Sequence, residues 1–127
     1  LYPHVEDFLN AAATKLPLGI LTNGNADVKK IGIDKFFKCH FTSLDVKSNK
    51  PSSKHFKKAV EFFNVLPEEI LHVGDDKIAD ISGCIRAGLN PLWFNNKSNE
   101  WDLDLEEPPQ ISSWENALEY IEQNYEF

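Results

Sequence analysis

Three polar segments of the chain combine a hydroxyl group, a glycine-containing turn, one ammonium group and several carboxylates. Their candidate site residues are Thr22, Asn23, Gly24, Lys50, Asp75, Asp76 and Asp80. Hydroxyl groups and backbone amides donate hydrogen bonds to phosphoryl oxygens, and an ammonium group balances negative charge that develops there. We therefore predict a phosphoryl-transfer site in which Thr22 and Lys50 are catalytic. The phosphate would be bound by these two residues together with Asn23 and Gly24.

Each segment taken alone also has an ordinary structural explanation. A Thr-Asn-Gly sequence is often a turn whose hydroxyl caps a helix. A single lysine such as Lys50 is usually a solvated charge. Carboxylates near a helix N-terminus complement the helix dipole and stabilise the helix by ~0.3–1 kcal/mol per group. The predicted site therefore depends on the three segments meeting in space.

The carboxylates cannot bind a phosphate group directly. Two like unit charges about 5 Å apart repel by roughly 3 kcal/mol at an effective dielectric constant of about 20. A divalent cation removes this conflict, and oxygen ligands completed by water suit Mg²⁺. We predict that Asp75 ligates Mg²⁺ directly. Asp76 and Asp80 would either supply a second ligand or hold Lys50 in place.

The elements that must position these residues are visible as an alternation of apolar runs and helical patterns. Apolar runs predict strands at 18–21, from Phe36 to near Thr42 and Ser43, at 70–74 and at 91–94. Helical periodicity and end signals predict helices at 3–15, 26–31, from 52 or 53 to 64, and 77–87. A terminal helix is predicted after a capping box at 112–115, and the polar segment 95–110 is predicted to be a loop.

Helices that alternate with continuous apolar strands predict an α/β fold with a mostly parallel sheet covered on both faces. In such sheets, ligands bind beyond the carboxyl ends of the strands. The residues that follow the predicted strands include Thr22, Asp75 and Asp76. The fold class therefore places the candidate chemistry at one edge of the sheet.

Length and composition favour an ordinary globular domain, with 127 residues, 42% hydrophobic and 26% charged. A net charge of −7 disfavours nucleic acid and anionic lipid as partners. The apolar runs are shorter than the ~20 residues of a membrane helix, and no signal-peptide pattern opens the chain, so we expect a cytoplasmic location. Cys39 and Cys84 lack metal-ligand spacing and are predicted to be small buried hydrophobic residues.

The order of the three segments resembles the haloacid dehalogenase superfamily, over residues 3–94. Thr22 matches that family's second motif, Lys50 its third, and Asp75 with Asp80 its fourth. The segments 70–76 and 22–25 look most like bacterial phosphatases that act on FMN and on the phosphorylated ribitylaminouracil precursor of riboflavin. The resemblance implies a three-layer, Rossmann-like sandwich and a Mg²⁺-dependent phosphatase acting on a small phosphorylated metabolite.

The family's first motif is an Asp-x-Asp whose first carboxylate attacks phosphorus, and this chain has no matching strand. Its Asp-x-Asp at 102–104 follows polar residues and comes after the fourth motif, so an acidic surface loop is expected there. The cap domain would also precede Leu1, and the chain has no methionine. Residues 1–127 are thus expected to be a partial core domain, the C-terminal portion of a longer phosphatase, with the central first strand missing.

In the family, that strand lies between the strands that end at Thr22 and Gly74. Uncovering about four apolar side chains at roughly 2 kcal/mol each would cost ~8 kcal/mol, comparable with the ~5–15 kcal/mol stability of a whole domain. Two unpaired strand edges would also favour association. An ordered form of the chain is therefore expected to retain an N-terminal fragment, to exchange an element with a neighbour, or to close its own sheet across the gap.

The first functional hypothesis is a Mg²⁺-dependent phosphoric monoester hydrolase of which this chain supplies the phosphate- and metal-binding part. The chain alone is then expected to be inactive, because supporting groups cannot replace the attacking carboxylate. A metal-independent haloacid dehalogenase is the second hypothesis, and Asp75 with Asp76 argues against it. A non-catalytic binding or scaffold module is the third.

Overall fold

The computed structural model of the chain describes residues 2–23 and 32–126. Gly24 and the predicted helix at 26–31 lie outside the described residues. The strands are β1 (Gly19–Leu21), β2 (Cys39–Phe41), β3 (Leu71–Gly74), β4 (Asn90–Phe94) and β5 (Gln110–Ile111). The α-helices are α1 (Val5–Ala13), α2 (Ser43–Val46), α3 (Lys54–Phe63), α4 (Gly83–Ala87) and α5 (Ala117–Asn124). None of the helices in the described part of the chain is long and apolar enough to cross a bilayer.

The strands pair in parallel, in two small sheets. β1 pairs with β2, with Gly19 opposite Cys39. β3 pairs with β4, with Leu71 opposite Asn90, and β4 pairs with β5. The predicted α/β class with parallel strands is confirmed, because each strand pair in the described part of the chain is parallel.

Between 2–23 and 32–126, β1 and β3 do not pair with each other. The expectation that the chain closes its own sheet across the gap is therefore wrong: this single chain keeps the gap open. Helix α3 lies against both sheets, since Leu21 of β1 and Ile70, directly before β3, pack against the hydrophobic cluster that contains Phe56. This cluster ties the two sheets to one helix without bringing their edges together. Retention of another fragment or exchange with a neighbour stays a prediction.

Amphipathic helices cover the sheets and build two hydrophobic clusters. α1 contributes Leu9, which packs with Ile33 and Phe36. α3 contributes the fully buried Phe56, which packs with Cys84 and Leu89. Cys84 is the buried thiol expected from the sequence, whereas Cys39 is half-buried in β2.

Several element boundaries differ from the sequence-based prediction. Phe36 lies in a 3-10 turn, Asp34–Phe36, so β2 begins three residues later. The predicted helix at 77–87 starts as a π-helical segment, Lys77–Ser82, and ends as expected at Gly88 with a positive φ of 87°. The predicted capping box at 112–115 is wrong: α5 begins after Asn116, which adopts a left-handed conformation and makes no side-chain cap bond.

Two elements were not predicted at all. A capping box does form at Thr42, whose hydroxyl accepts a hydrogen bond from the amide of Asp45 and starts the short helix α2. The predicted loop at 95–110 ends in β5, which extends the second sheet at Trp93 and Phe94.

Candidate functional site

A cleft of about 1030 Å³ separates β1 from β3. Both strands line it, together with apolar side chains of α1 and α5, among them Leu9 and Ile121. The cleft lining also includes the following predicted site residues: Thr22, Asn23, Lys50, Asp75 and Asp80. These residues follow strands or precede helices, so the structure brings the three polar segments to one place as the parallel topology requires.

Lys50 and Asp80 form a buried ion pair at this place. Their side chains are only 8% and 9% exposed, and the Lys50 ammonium donates to Oδ1 of Asp80. The same ammonium donates to the backbone oxygen of Leu21, at 3.2 Å, directly before Thr22. One cation therefore connects the end of β1 with the segment after β3.

Asn23 fixes the backbone of Lys50 from the other side. Its Oδ1 accepts from the Lys50 amide at 2.6 Å, and its Nδ2 donates to the Lys50 carbonyl at 3.2 Å. The Ser43 hydroxyl in turn donates to the Asn23 carbonyl at 2.5 Å. The Asn23 side chain thus makes two hydrogen bonds with the Lys50 backbone, and these bonds hold the turn after β1 against the segment before α3.

Asp80 receives donors from three directions. Besides Lys50, Nε2 of His72 lies 3.2 Å from its Oδ1, and the Asp76 amide donates to its Oδ2 at 3.1 Å. Burial alone would raise the pKa of Asp80, but the hydrogen bond from His72 and the charge of Lys50 outweigh burial and hold that pKa far below its usual range. Asp80 is therefore a buried carboxylate that stays ionised, and it holds Lys50, which is one of the two roles the sequence left open.

Gly74 makes room for this carboxylate. A Cβ atom on Gly74 would lie 2.4 Å from Cβ and Cγ of Asp80, a distance that no packed pair of carbons tolerates. The last residue of β3 therefore has to be a glycine as long as Asp80 occupies its present position.

Asp76 caps the following helical segment. Its Oδ1 accepts from the amides of Ile78 and Ala79 at 2.9 and 2.8 Å. This contact leaves the other carboxylate oxygen of Asp76 outside the cap. Asp76 thus has the ordinary structural role at a helix N-terminus that the sequence also allowed.

Asp75 is exposed and faces the cleft from the end of β3. Its backbone oxygen accepts from the indole Nε1 of the buried Trp93 at 3.1 Å, which fixes the backbone that carries the carboxylate. The Tyr2 hydroxyl lies 3.5 Å from its Oδ2. Within 2–23 and 32–126, no group of three or more His, Cys, Asp or Glu residues is arranged to hold a metal ion.

These oxygen donors still fit the predicted magnesium ion. Mg²⁺ is usually held by one or two carboxylates and completes its shell with water and phosphate oxygens, so it does not need a cage of protein ligands. Asp75 offers an exposed carboxylate at the cleft, and the exposed Asp76, which is not among the residues that line the cleft, has one oxygen that does not cap the helix. Asp80 is less available, because its two oxygens already accept from Lys50, His72 and a backbone amide.

Two histidines beside Thr22 were not singled out from the sequence. Nε2 of His40 lies 3.3 Å from the Thr22 hydroxyl, and Nε2 of His55 lies 2.8 Å from the Thr22 carbonyl. Neither shows metal-ligand spacing, so only their tertiary position reveals them. The ring of His72, whose Nε2 lies 3.2 Å from Asp80 Oδ1, also packs edge-on against Phe56.

The Asp-x-Asp at 102–104 lies in the loop that follows β4. Asp102 is exposed and pairs with Lys77 at 2.7 Å. Lys77 also donates to the backbone oxygen of Glu100 at 3.0 Å, which fastens this loop to the segment after Asp76. The location agrees with the expected acidic surface loop.

Comparison with known proteins shows which protein family this chain is similar to. Residues 1–88 match the model of a hydrolase family described as haloacid dehalogenase-like hydrolase. The 5-amino-6-(5-phospho-D-ribitylamino)uracil phosphatase YigB of Escherichia coli (strain K12) is 36% identical over 104 residues, which are 79% of this chain and 44% of that protein. The glyceraldehyde 3-phosphate phosphatase of Pyrococcus furiosus is 38% identical over 96 residues, 70% of this chain and 40% of that protein. The chain thus spans less than half the length of these curated relatives.

Solved structures show the same likeness. A 2-haloacid dehalogenase from Pseudomonas syringae pv. Tomato DC3000 matches with a TM-score of 0.92 and 31% identity, over 97% of this chain and 54% of that one. A HAD-hydrolase, YfnB, from Bacillus subtilis, solved with magnesium bound, matches with a TM-score of 0.85 and 26% identity, over 93% of this chain and 54% of that one. The elements of this chain therefore have the arrangement of the matched half of those structures.

Proposed function

Because the chain belongs to the haloacid dehalogenase-like hydrolase family, we propose that it carries the phosphate- and metal-binding part of a Mg²⁺-dependent phosphoric monoester hydrolase. The observation that carries this proposal is the Lys50 ammonium, held between the Leu21 carbonyl and the Asp80 carboxylate at the end of β1. A buried cation that lines the same cleft as the Thr22 hydroxyl and the exposed Asp75 carboxylate is suited to a phosphoryl group.

Each residue has a separate task in this proposal. The Thr22 hydroxyl and the amides that follow it donate to phosphoryl oxygens, and Lys50 neutralises charge that accumulates on them. Asp80 holds the Lys50 ammonium at that position, and Asn23 holds the Lys50 backbone in place. Asp75, with the free oxygen of Asp76, would hold Mg²⁺. The bound ion would offset the repulsion between these carboxylates and a phosphate dianion.

The attacking carboxylate is not among these groups. β1 pairs only with β2, and β3 only with β4, so within the described ranges each has one strand edge directed to the apolar cleft. Edges of parallel strands are normally paired and buried. We therefore propose that a further strand of the full-length protein lies between β1 and β3 and brings the nucleophile to Thr22 and Lys50. The chain of 127 residues alone is proposed to be inactive.

The proposed substrate is a small phosphorylated metabolite. Relatives at 36% and 38% identity act on a phosphorylated riboflavin precursor and on glyceraldehyde 3-phosphate. Both substrates carry a phosphate monoester, which is the group that Thr22 and Lys50 are proposed to bind. The residues that support this proposal would bind the phosphate group and not the organic part of the substrate.

Hydrolysis of 2-haloacids is a second candidate, because the dehalogenase from Pseudomonas syringae matches this chain with a TM-score of 0.92. A dehalogenase of this type requires no metal. The exposed carboxylate of Asp75 at the cleft favours the phosphatase.

The test is an assay of the full-length protein with p-nitrophenyl phosphate, the ribitylaminouracil phosphate, FMN, glyceraldehyde 3-phosphate and 2-chloropropionate, each with Mg²⁺ and with EDTA. Release of phosphate that requires Mg²⁺ and falls at least a hundredfold in Asp75→Asn supports the proposal. Asp104→Asn is the matched control, because it changes another exposed aspartate in the same way and should retain activity. Chloride release in EDTA would favour the dehalogenase, and no turnover of any compound would favour a non-catalytic module.

A further inference from the structure

His55 is a fully buried histidine near the start of α3, and its ring reaches the backbone of Thr22. Its side chain has 0% exposure, and Nε2 lies 2.8 Å from the Thr22 carbonyl oxygen. A carbonyl oxygen only accepts hydrogen bonds, so Nε2 carries the proton and Nδ1 carries the lone pair. Nδ1 is buried and has no hydrogen-bond partner in the described part of the chain.

The bond to Thr22 determines the orientation of one peptide group. The Thr22 carbonyl and the Asn23 amide belong to the same planar trans peptide, so they point in opposite directions. With the carbonyl held towards α3 by His55, the Asn23 N–H points away from α3. Asn23 is also held through its side chain by the backbone of Lys50. The His55 bond thus constrains the peptide that carries the Asn23 amide, and the Lys50 backbone constrains the Asn23 side chain.

We propose that His55 is a positioning residue that fixes the Thr22–Asn23 peptide so that the Asn23 amide is presented to a bound phosphate oxygen. This inference rests on the function proposed above. His55 touches neither the substrate nor the metal in this arrangement. Its effect passes through one hydrogen bond to a backbone carbonyl.

Packing alone does not account for an imidazole at this position. A buried nitrogen without a partner costs about 1–3 kcal/mol, and an aliphatic side chain such as methionine would avoid that cost. The bond from Nε2 to Thr22 is the contact that an aliphatic side chain could not replace. The hydrogen bond to the Thr22 carbonyl therefore explains why residue 55 is a histidine.

The ring stays neutral in this environment. Burial is the main reason that the pKa of His55 lies below its ordinary value, and the positive charge of Lys50 and the ring of His72 act in the same direction. The Thr22 carbonyl and Asp45 oppose this shift without reversing it. A neutral ring with the proton on Nε2 is the form that the proposed hydrogen bond requires.

The first test compares His55→Gln with His55→Met in the full-length protein. The Gln amide nitrogen can donate from about the position of Nε2, whereas Met fills similar space with no donor. Binding of inorganic phosphate is measured by calorimetry and by the NMR shift of the Asn23 amide. We expect His55→Met to weaken phosphate binding about tenfold while its thermal stability stays about unchanged, because the lost bond to the Thr22 carbonyl offsets the removal of the unpaired Nδ1. His55→Gln should bind phosphate within about threefold of wild type.

His4→Gln serves as the control, because it changes an exposed histidine whose ring lies 3.9 Å from Glu115, and it should leave phosphate binding unchanged. Wild-type affinity retained in His55→Met would overturn the inference about His55 alone. Absence of both turnover and phosphate binding in the wild-type protein would instead overturn the proposed function.

A second test needs no variant. The ¹⁵N shifts of the His55 ring in the wild-type protein report which nitrogen carries the proton. We expect a neutral ring protonated on Nε2 at neutral pH, with or without phosphate. A ring protonated only on Nδ1 could not donate to the Thr22 carbonyl, and its observation would exclude the proposed role even if both variants failed to fold.

Discussion

The Lys50 ammonium and the Asp80 carboxylate meet in the interior across 30 residues of chain. Both side chains are more than nine-tenths buried, so neither charge has water to replace its partner. A buried pair of this kind contributes little net free energy compared with apolar residues, yet breaking it is expensive. Stable folding of the segments that carry Lys50 and Asp80 therefore requires these two side chains to meet at the candidate site.

Replacing one member of this pair should destabilise the protein strongly. Lys50→Met leaves the Asp80 carboxylate buried with only His72 and a backbone amide as donors, so we expect a loss of about 3–5 kcal/mol in the free energy of unfolding. The double variant Lys50→Met with Asp80→Leu removes both charges and should lose less than Lys50→Met alone. Urea denaturation of the single and double variants measures the coupling.

The exposed pair of Lys15 and Glu122 provides the control. Its atoms are 2.8 Å apart, but the side chains are 58% and 45% exposed. Lys15→Met should therefore change the free energy of unfolding by only about 0–1 kcal/mol. Equal effects of Lys15→Met and Lys50→Met would contradict the importance assigned to burial.

Acid should destabilise the protein in two separate pH ranges. The folded-state pKa of His55 lies below its ordinary value of 6.5, mainly because of burial, so the unfolded chain binds this proton first and stability begins to fall below about pH 6.5. The pKa of Asp80 is also lowered from 3.8, so its contribution is complete above about pH 4 and is lost as the pH falls further. Urea denaturation between pH 8 and pH 3 measures both ranges.

His55→Gln separates the two contributions. This variant cannot take up a proton at residue 55, so its stability should stay flatter between about pH 6.5 and 5 while the loss below pH 4 remains. The same slope in wild type and variant above pH 5 would show that His55 does not titrate on unfolding.

The Thr22 hydroxyl should contribute directly to anion binding. Thr22→Val removes the hydroxyl with little change in shape, and a hydrogen bond to a charged group is worth about 1.5–3 kcal/mol. We expect inorganic phosphate to bind the full-length Thr22→Val variant at least about tenfold more weakly, and Thr22→Ser to retain most of the affinity. Thr14→Val is the control, since the Thr14 hydroxyl only donates to Ala11 at the exposed end of α1.

Gly74→Ala should disrupt the site through overlap with Asp80. The added Cβ would lie 2.4 Å from two carbons of Asp80, so that side chain must move and its pairing with Lys50 must weaken. We expect a loss of about 1–3 kcal/mol in stability from overpacking together with a loss of phosphate binding. Thermal unfolding and phosphate titration of the full-length variant measure the two effects.

Gly32→Ala distinguishes overlap from backbone strain. Gly32 has a φ of +76°, and a Cβ added there would meet no described atom within 4 Å, so its substitution should cost only the strain of about 1–2 kcal/mol. Phosphate binding should then be unchanged. A loss of binding in Gly32→Ala would mean that destabilisation alone accounts for the effect at Gly74.

The sequence located Thr22, Lys50 and Asp75 because each follows or precedes an element with a clear local pattern. Parallel topology then brings such positions to one edge, whatever the details of the loops. Helix α3 was equally clear, since its apolar residues repeat at helical spacing over ten residues. Local pattern and topology were sufficient for this part of the site.

His40 and His55 could not be found in the same way. His55 meets Thr22 across 33 residues, and no spacing in the sequence records that contact. Its position directly before the buried Phe56, on the turn of α3 nearest Lys50, is the one signal that could have drawn attention to it. β5 was missed for a different reason: two residues are too short for an alternating pattern, and only pairing with β4 defines them.

The open cleft gives the last prediction, which concerns the strand edges on either side of it. β1 and β3 each pair on one side only within the described ranges, whereas β4 lies between β3 and β5 and pairs on both sides. If the full-length protein places a further strand in the cleft, hydrogen exchange of amides at 19–21 and 71–74 should slow there by at least about tenfold relative to the chain of 127 residues alone. Amides of β4 such as Trp93, which donates to Pro109 at 2.9 Å, should be protected in both and serve as the internal control. Equal exchange of the β1 and β3 amides in both proteins would mean that nothing pairs in the cleft, and the proposed position of the nucleophile would then be wrong.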